Sequence, residues 1–180
     1  EHDFVQPVGQ TQTVNGITMT VEYLIVDQKQ VNVFYTLKSE QYPELEGAPE
    51  FTAADGALAQ ASVHWGYFLE GEALRKITLD FADSVPDALV MTYEAYPSPY
   101  GGEGPRPATV ADFAFTLRLD LAFTRQGQVY ALNSPVTLDG QTIAVDSVEI
   151  YPTHIRLNLL NDPSNTAWLK SLSFYLEDEN

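Results

Sequence analysis

The sequence contains nearly the same β-type stretch twice, and this repeat constrains the possible folds more than any other feature. Residues 13–23 read TVNGITMTVEY and residues 137–147 read TLDGQTIAVDS, an offset of 124 residues. At that offset Gly16 aligns with Gly140, and the apolar positions that follow align without a gap. We therefore expect a fold in which the same unit of strands forms twice.

Both copies change the phase of their apolar alternation at the same place. The first runs Ile17, Met19, Val21 and then Leu24, Val26; the second runs Ile143, Val145 and then Val148, Ile150. A slip of one residue sends the following side chains to the opposite face unless a β-bulge absorbs it. We predict matching bulges near Glu22 and Asp146, within strand–bulge–strand–turn–strand units at residues 13–38 and 137–160.

Period-two alternation also dominates the rest of the chain. Every odd position from Phe113 to Phe123 is apolar, residues 61–81 read as a hairpin, and residues near 89–95 read as a further strand. No window shows a sustained helical stripe. The fold class that these patterns predict is all-β.

The repeat offset also measures the domains. Residues 1–124 are long enough for an immunoglobulin-like β-sandwich of roughly eight strands. The chain has no cysteine, so the likeness to antibody domains is one of architecture only. Residues 125–180 form a second, smaller or incomplete β unit that repeats the first strands of domain 1.

An incomplete second unit needs a cover for its apolar face. We expect Val145, Ile155, Leu157 and Leu159 to line that face. The cover would come from residues past Asn180, from a neighbouring chain, or from docking onto the first unit, because so few strands enclose little core.

Charge and composition exclude several classes of function. The net charge of −16 argues against binding nucleic acid or anionic lipid headgroups, which are themselves negative. The absence of cysteine excludes disulfides, thiolate zinc sites and cysteine nucleophiles. No apolar run reaches the ~18 residues of a membrane span, so we expect the chain not to be membrane-inserted itself.

No catalytic or metal motif stands out. His2, His64 and His154 lack ligand spacing, and Ser62 with His64 lacks the strained elbow of a nucleophilic serine. We predict that the chain is not an enzyme and that it holds no metal and no cofactor. A hydrolase that uses a carboxylate pair stays open as a third, weaker alternative.

The acidic stretch DFADSVPD is a candidate calcium site. It contains Asp80, Asp83 and Asp87 but lacks the Dx[DN]xDG spacing of a calcium loop. Solvated loop carboxylates are the more frequent outcome, so we predict no metal here.

Exposed aromatic residues are the remaining candidates for binding. Residues 94–109, EAYPSPYGGEGPRPAT, read as a loop that carries Tyr96 and Tyr100. Loop aromatics are frequent at recognition surfaces, although folding back onto the sandwich is an equal alternative. Trp65 continues an alternating strand and is expected in the core, whereas Trp168 is expected to cap a hairpin or pack on the second sheet.

Two long segments carry a resemblance to known domains. QTQTVNGITMTVEYLIVDQKQVNVFYTL, with VPDALVM later, resembles an uncharacterised domain family that forms the outer part of single-span membrane proteins in Gram-positive bacteria. YALNSPVTLDGQTIAVDSVEIYPTHIRLNL resembles a companion domain that often follows it. Many such proteins look like anti-sigma factors, with a cytoplasmic sigma-binding region before the membrane segment.

The resemblance implies a non-enzymatic sensing or protein-interaction region on the extracellular face of the cell membrane. It also implies a tether through an N-terminal segment outside these residues, and a partner that is an unknown protein or envelope ligand. It assigns no catalytic or binding residue. The main alternative is a surface adhesion or carbohydrate-binding module that uses exposed aromatic residues.

Overall fold

The structure, a computed structural model, describes residues 5–53, 61–67, 74–97, 107–120 and 127–167, with the backbone alone at 65–67. The chain divides into two compact units, residues 1–126 and 127–180. Within the described ranges it is all-β, as the alternation predicts, with three antiparallel sheets. None of these ranges contains a helix long and apolar enough to span a membrane.

The first unit has eight described strands in two sheets. The five-stranded sheet has the order β1-β2-β3-β6-β5 and the three-stranded sheet the order β4-β7-β8. The strands are β1 (Val5–Val14), β2 (Ile17–Val26), β3 (Gln30–Ser39), β4 (Leu45–Ala53), β5 (Ala61–Tyr67), β6 (Leu74–Phe81), β7 (Ala88–Pro97) and β8 (Ala111–Arg118).

The two sheets of the first unit share one hydrophobic core, to which the strands contribute alternate residues. In β8, Phe113, Phe115 and Leu117 are buried while the residues between them are exposed. Across the core, the rings of Tyr35 on β3 and Tyr93 on β7 meet edge to face at 5.5 Å. Each large side chain that is fully buried here stabilises the fold by about 1.5–3 kcal/mol.

Side-chain amides of β1 and of the turn after it bind the free backbone edge of β8 and the residues that flank this strand. Gln6, Gln10, Gln12 and Asn15 donate to the carbonyl oxygens of Arg118, Thr116, Ala114 and Val110, respectively. Two of these amides also accept from the same edge, Gln12 from the Ala114 N–H at 3.2 Å and Gln6 from the Asp120 N–H at 2.9 Å. We call these four side chains the amide ladder. They close one side of the unit and occupy an edge that could otherwise pair with another strand.

The second unit has three described strands in one sheet of order β11-β10-β9. They are β9 (Gln128–Leu138), β10 (Gln141–Ile150) and β11 (Ile155–Asn161). At the offset of 124 residues they correspond to β1, β2 and β3.

The predicted bulges are confirmed in both copies. The register slips between Val21 and Tyr23 in β2, which leaves Glu22 as the extra residue. In β10 it slips between Val145 and Ser147, which leaves Asp146.

The two copies also share backbone conformation. Positive φ angles occur at equivalent positions: Gly9 (64°) and Asn133 (48°), Asn15 (51°) and Asp139 (49°), Gly16 (75°) and Gly140 (74°). Two consecutive positive φ angles in a two-residue loop form the type I′ hairpin, which favours Asn-Gly and Asp-Gly.

The second turn of each copy has the same backbone hydrogen bond and different side-chain support. The Asp27 N–H donates to the Gln30 carbonyl at 3.0 Å, and the Tyr151 N–H donates to the His154 carbonyl at 2.9 Å. In the first copy the buried Asp27 carboxylate accepts from the N–H groups of Lys29 and Gln30. In the second, the Tyr151 and His154 rings stack at 4.9 Å.

Two sequence predictions about boundaries are wrong. Residues 94–97 belong to β7 rather than to a loop, because they pair with residues 45–48 of β4. Strand β8 ends at Arg118, although apolar alternation continues to Phe123; residues 121–126 lie outside the described ranges.

Candidate functional site

The sheet of the second unit has one apolar face. Directly paired residues of antiparallel strands share a face, so the strand register defines its members. We call apolar face the surface formed by Tyr130, Val136, Leu138, Ile143, Val145, Val148, Ile150, Ile155, Leu157 and Leu159. The four residues expected to line the face of the second unit are all in it. Its other paired positions hold Gln128, Ser134, Gln141 and Asn161, so no charge occupies it.

This face is exposed within the described part of the chain. Six of its side chains keep 37–48% of their surface accessible: Tyr130, Val136, Leu138, Ile150, Ile155 and Leu159. In the described residues of the first unit, Val63 is the one large apolar side chain that is comparably exposed. Scattered apolar residues are normal on protein surfaces, but a contiguous patch marks an interaction site.

The opposite face of the same sheet is mostly polar. The hydroxyls of Thr137 and Thr142 lie 3.1 Å apart, and the Asn158 amide donates to Ser147 Oγ and to Glu149 Oε1. Among the residues of this face that the register pairs, the large exposed apolar side chains are Val129 and Leu160. The two faces of one small sheet therefore differ strongly in chemistry.

An aromatic and cationic cluster holds the turn between β10 and β11. The Arg156 Nε–H donates to His154 Nε2 at 3.0 Å, and the guanidinium lies 5.9 Å from the centre of the Tyr151 ring. A Cβ added at Gly127 would lie 2.4 Å from that ring, so only glycine fits there. Together these contacts hold the turn between β10 and β11 in place.

The first unit shows how the equivalent positions behave in a complete core. Seven residues that correspond to the β10 and β11 part of the apolar face are 0–3% exposed: Met19, Val21, Leu24, Val26, Val31, Val33 and Tyr35. They are covered by the sheet of β4, β7 and β8. In the second unit the described residues include no such second layer.

The predicted aromatic candidates fall in different places. Tyr96 lies on β7, paired with Glu46 and partly buried. Tyr100 and Trp168 lie outside the described residues, as does the side chain of Trp65. The prediction that Tyr96 lies in a loop is wrong. A role of Tyr96 in binding stays a prediction.

Ser62, His64 and the acids of DFADSVPD were the candidates for catalysis or metal binding. The structure brings His64 and Asp80 together. His64 Nε2 lies 3.4 Å from Asp80 Oδ2, and both groups are accessible to solvent. Ser62 pairs opposite Asp80 in the strand register, but no hydrogen bond within the described ranges joins it to His64. An exposed pair of this kind contributes at most about 1 kcal/mol of stability.

The acids of the stretch DFADSVPD do not converge. Asp80 lies on β6, where Oδ1 accepts from the Gln30 amide at 2.9 Å, whereas Asp83 and Asp87 lie between β6 and β7. Within the described ranges, no group of three His, Cys, Asp or Glu side chains could hold a metal ion.

A second surface feature, not evident from the sequence, is an acidic groove of about 430 Å³ on the outside of the β4-β7-β8 sheet. Glu50, Glu94 and Asp112 line it, together with Gln12 of the amide ladder. Glu94 and Asp112 are directly paired, and like charges in that position destabilise a sheet. In the sequence, acids alternate with apolar residues on β7 and β8, and this alternation indicates that the acids face outward.

Comparisons with known proteins give a match for the N-terminal segment and a similar fold. Residues 1–39 match a domain of unknown function, DUF4179. No curated protein matches the sequence. A solved structure, the conserved domain protein from Bacillus anthracis, is similar with a TM-score of 0.55 and 16% identity, over 83% of this chain and 52% of that chain.

The chain thus spans about half the length of that Bacillus protein. Identity at this level shows the fold alone. The chain is similar to an uncharacterised all-β bacterial domain.

Proposed function

We propose that this chain is a non-enzymatic extracellular region of a membrane-anchored bacterial signalling protein of the anti-sigma-factor-like kind, acting through protein interaction or sensing. We also propose that its first unit is an immunoglobulin-like sandwich. The shared core of its two sheets and the closure by the amide ladder support that reading.

The apolar face carries the proposal. Its ten apolar side chains form one uncharged patch on the sheet, and the positions equivalent to those of β10 and β11 are buried against a second layer in the first unit. A surface of this kind is costly to leave in water, at about 25 cal/mol per Å² of apolar area. A protein partner would recover that free energy, whereas a small polar ligand would not.

The experiment tests location and interaction separately. Protease added to intact cells of the native host should digest this chain, detected with an antibody against it, while a cytoplasmic protein stays intact. Protection of the chain until the cells are lysed would contradict the extracellular assignment.

For the interaction, the native gene is replaced by Leu159→Lys, which alters the apolar face, or by Leu160→Lys, which alters the opposite face. We expect the first to change the profile of transcripts and the second to resemble the wild type. Equal profiles for all three strains, at equal protein levels, would contradict a role of this face in signalling.

The acidic groove favours one alternative, a surface adhesion or carbohydrate-binding module. Paired carboxylates such as Glu94 and Asp112 can accept hydrogen bonds from sugar hydroxyls, and Tyr96 lies on the same outer face of β7 as Glu94. A glycan array probed with the wild type, Glu94→Gln and Tyr96→Ala tests it. Binding that both substitutions abolish would favour this alternative.

A further inference from the structure

We propose that two copies of this chain associate through the apolar face, so that their β9-β10-β11 sheets pack face to face. This inference rests on the proposed interaction role and deepens it by naming the partner as a second copy of the same chain. Four observations on the described residues carry it.

The internal repeat shows what such a face packs against. The equivalent face of β2 and β3 is buried against another antiparallel sheet, in a cluster of apolar side chains. Sheets that pack face to face do so through interdigitating apolar side chains. The occupant of the apolar face is therefore best matched by the apolar side of a β-sheet.

The differences between β1 and β9 show how much of the apolar face the partner must cover. In the first unit, Gln6 and Gln12 lie where the second layer ends, and their amides bind the edge of β8. At the equivalent positions the second unit has Tyr130 and Val136, which cannot form such a ladder. The cover of the second unit must reach across β9, and a three-stranded sheet laid on a three-stranded sheet does so.

Charge favours association at this face over any other. The chain carries a net charge of −16, so two copies repel each other. The apolar face holds no charged side chain, whereas the opposite face holds Glu149 and Arg156. Contact through the apolar face leaves Glu149 and Arg156 in solvent.

The available area suits a dimer. Six of the ten side chains of the apolar face keep 37–48% of their surface exposed, and a second copy that covered them would form an interface at the small end of the range for specific complexes. A dimer that dissociates on dilution is the expected result.

Sedimentation equilibrium of the intact 180-residue chain at a series of concentrations tests the proposal. The wild type should be in monomer–dimer equilibrium. Leu159→Lys places a charge within the apolar face and should weaken association by about tenfold or more. Leu160→Lys, one residue away on the opposite face, should change it by less than about twofold.

A second matched pair guards against a variant that fails to fold. Val136→Lys and Val129→Lys lie on the edge strand β9, on opposite faces, and circular dichroism shows whether each keeps its β-structure. Loss of association in a folded Val136→Lys, with Val129→Lys unaffected, supports the proposal. Equal effects of both would overturn it.

A wild type that stays monomeric at every concentration would also overturn self-association. That result would leave the proposed function standing, because the function fails on different evidence, namely protection of the chain from protease on intact cells. The two failures are therefore distinguishable.

Discussion

At the scale of single residues, Tyr35 shows how the core of the first unit responds to pH. Its hydroxyl lies 3.4 Å from that of Tyr93 in the buried region between the sheets. Burial, and secondarily the neighbouring Tyr93, raises the pKa of Tyr35 well above its ordinary value of 10.0. The neutral phenol is therefore the form that the native state requires.

We expect this residue to weaken the fold at alkaline pH. Below about pH 10 the phenol is neutral in both states. As pH rises further, the unfolded chain releases the proton while the native chain keeps it, so the free energy of unfolding falls. Urea unfolding between about pH 9 and pH 11 should show a smaller decline for Tyr35→Phe than for the wild type.

The variant itself should lower the free energy of unfolding by about 1–3 kcal/mol at neutral pH, because it removes the hydrogen bonds of a buried hydroxyl to Tyr93 and Arg75. An identical alkaline decline in both proteins would show that Tyr35 does not contribute, and that other tyrosines account for it.

At the scale of elements, the amide ladder connects β1 to the edge of β8. Backbone groups at a sheet edge seek partners, and here the partners are amides of the same unit. The ladder thus has two consequences: it joins the two sheets on one side, and it keeps β8 from pairing with other chains.

Gln12→Ala should lower the free energy of unfolding by about 1 kcal/mol, because it removes both hydrogen bonds to Ala114 in a solvated position. Gln41→Ala is the matched control, since Gln41 is exposed and its side chain has no hydrogen bond within the described residues. Urea unfolding compares the two. If both variants lose the same amount of stability, or neither loses any, the ladder does not hold the sheets together.

Local features of the strands, such as bulges, could be predicted from sequence. Which distant strands pair with each other could not. The bulges at Glu22 and Asp146 follow from a phase slip that is visible within five residues. The extension of β7 to Tyr96 depends on pairing with β4, which lies more than 40 residues earlier in the chain. The amide ladder likewise joins residues more than 90 apart.

The candidate surface could be predicted in part. Val145, Ile155, Leu157 and Leu159 follow from alternation in β10 and β11. Strand β9 is difficult to recognise in the sequence, because Asn-Ser-Pro at residues 133–135 reads as a turn. That sequence is tolerated because β9 is an edge strand and Asn133 occupies its bulge with positive φ.

At the scale of the whole molecule, the two units differ in how they bury their apolar residues. The first unit encloses a large core between two sheets. Among the described residues of the second unit, Tyr151 is the one buried hydrophobic side chain. A three-stranded sheet with so little core is marginally stable alone. Association through the apolar face would therefore also stabilise the second unit, in proportion to concentration.

The most direct test of a covered apolar face uses the absence of cysteine from the chain. Leu159→Cys and Leu160→Cys each introduce a single thiol on adjacent residues of β11 that face opposite ways and are both exposed in one chain. The rate of reaction with a soluble thiol reagent is measured over a range of protein concentrations. We expect the thiol at 159 to react slowly at high concentration and faster on dilution, while the thiol at 160 reacts fast throughout. A rate at 159 that does not change on dilution would contradict the account.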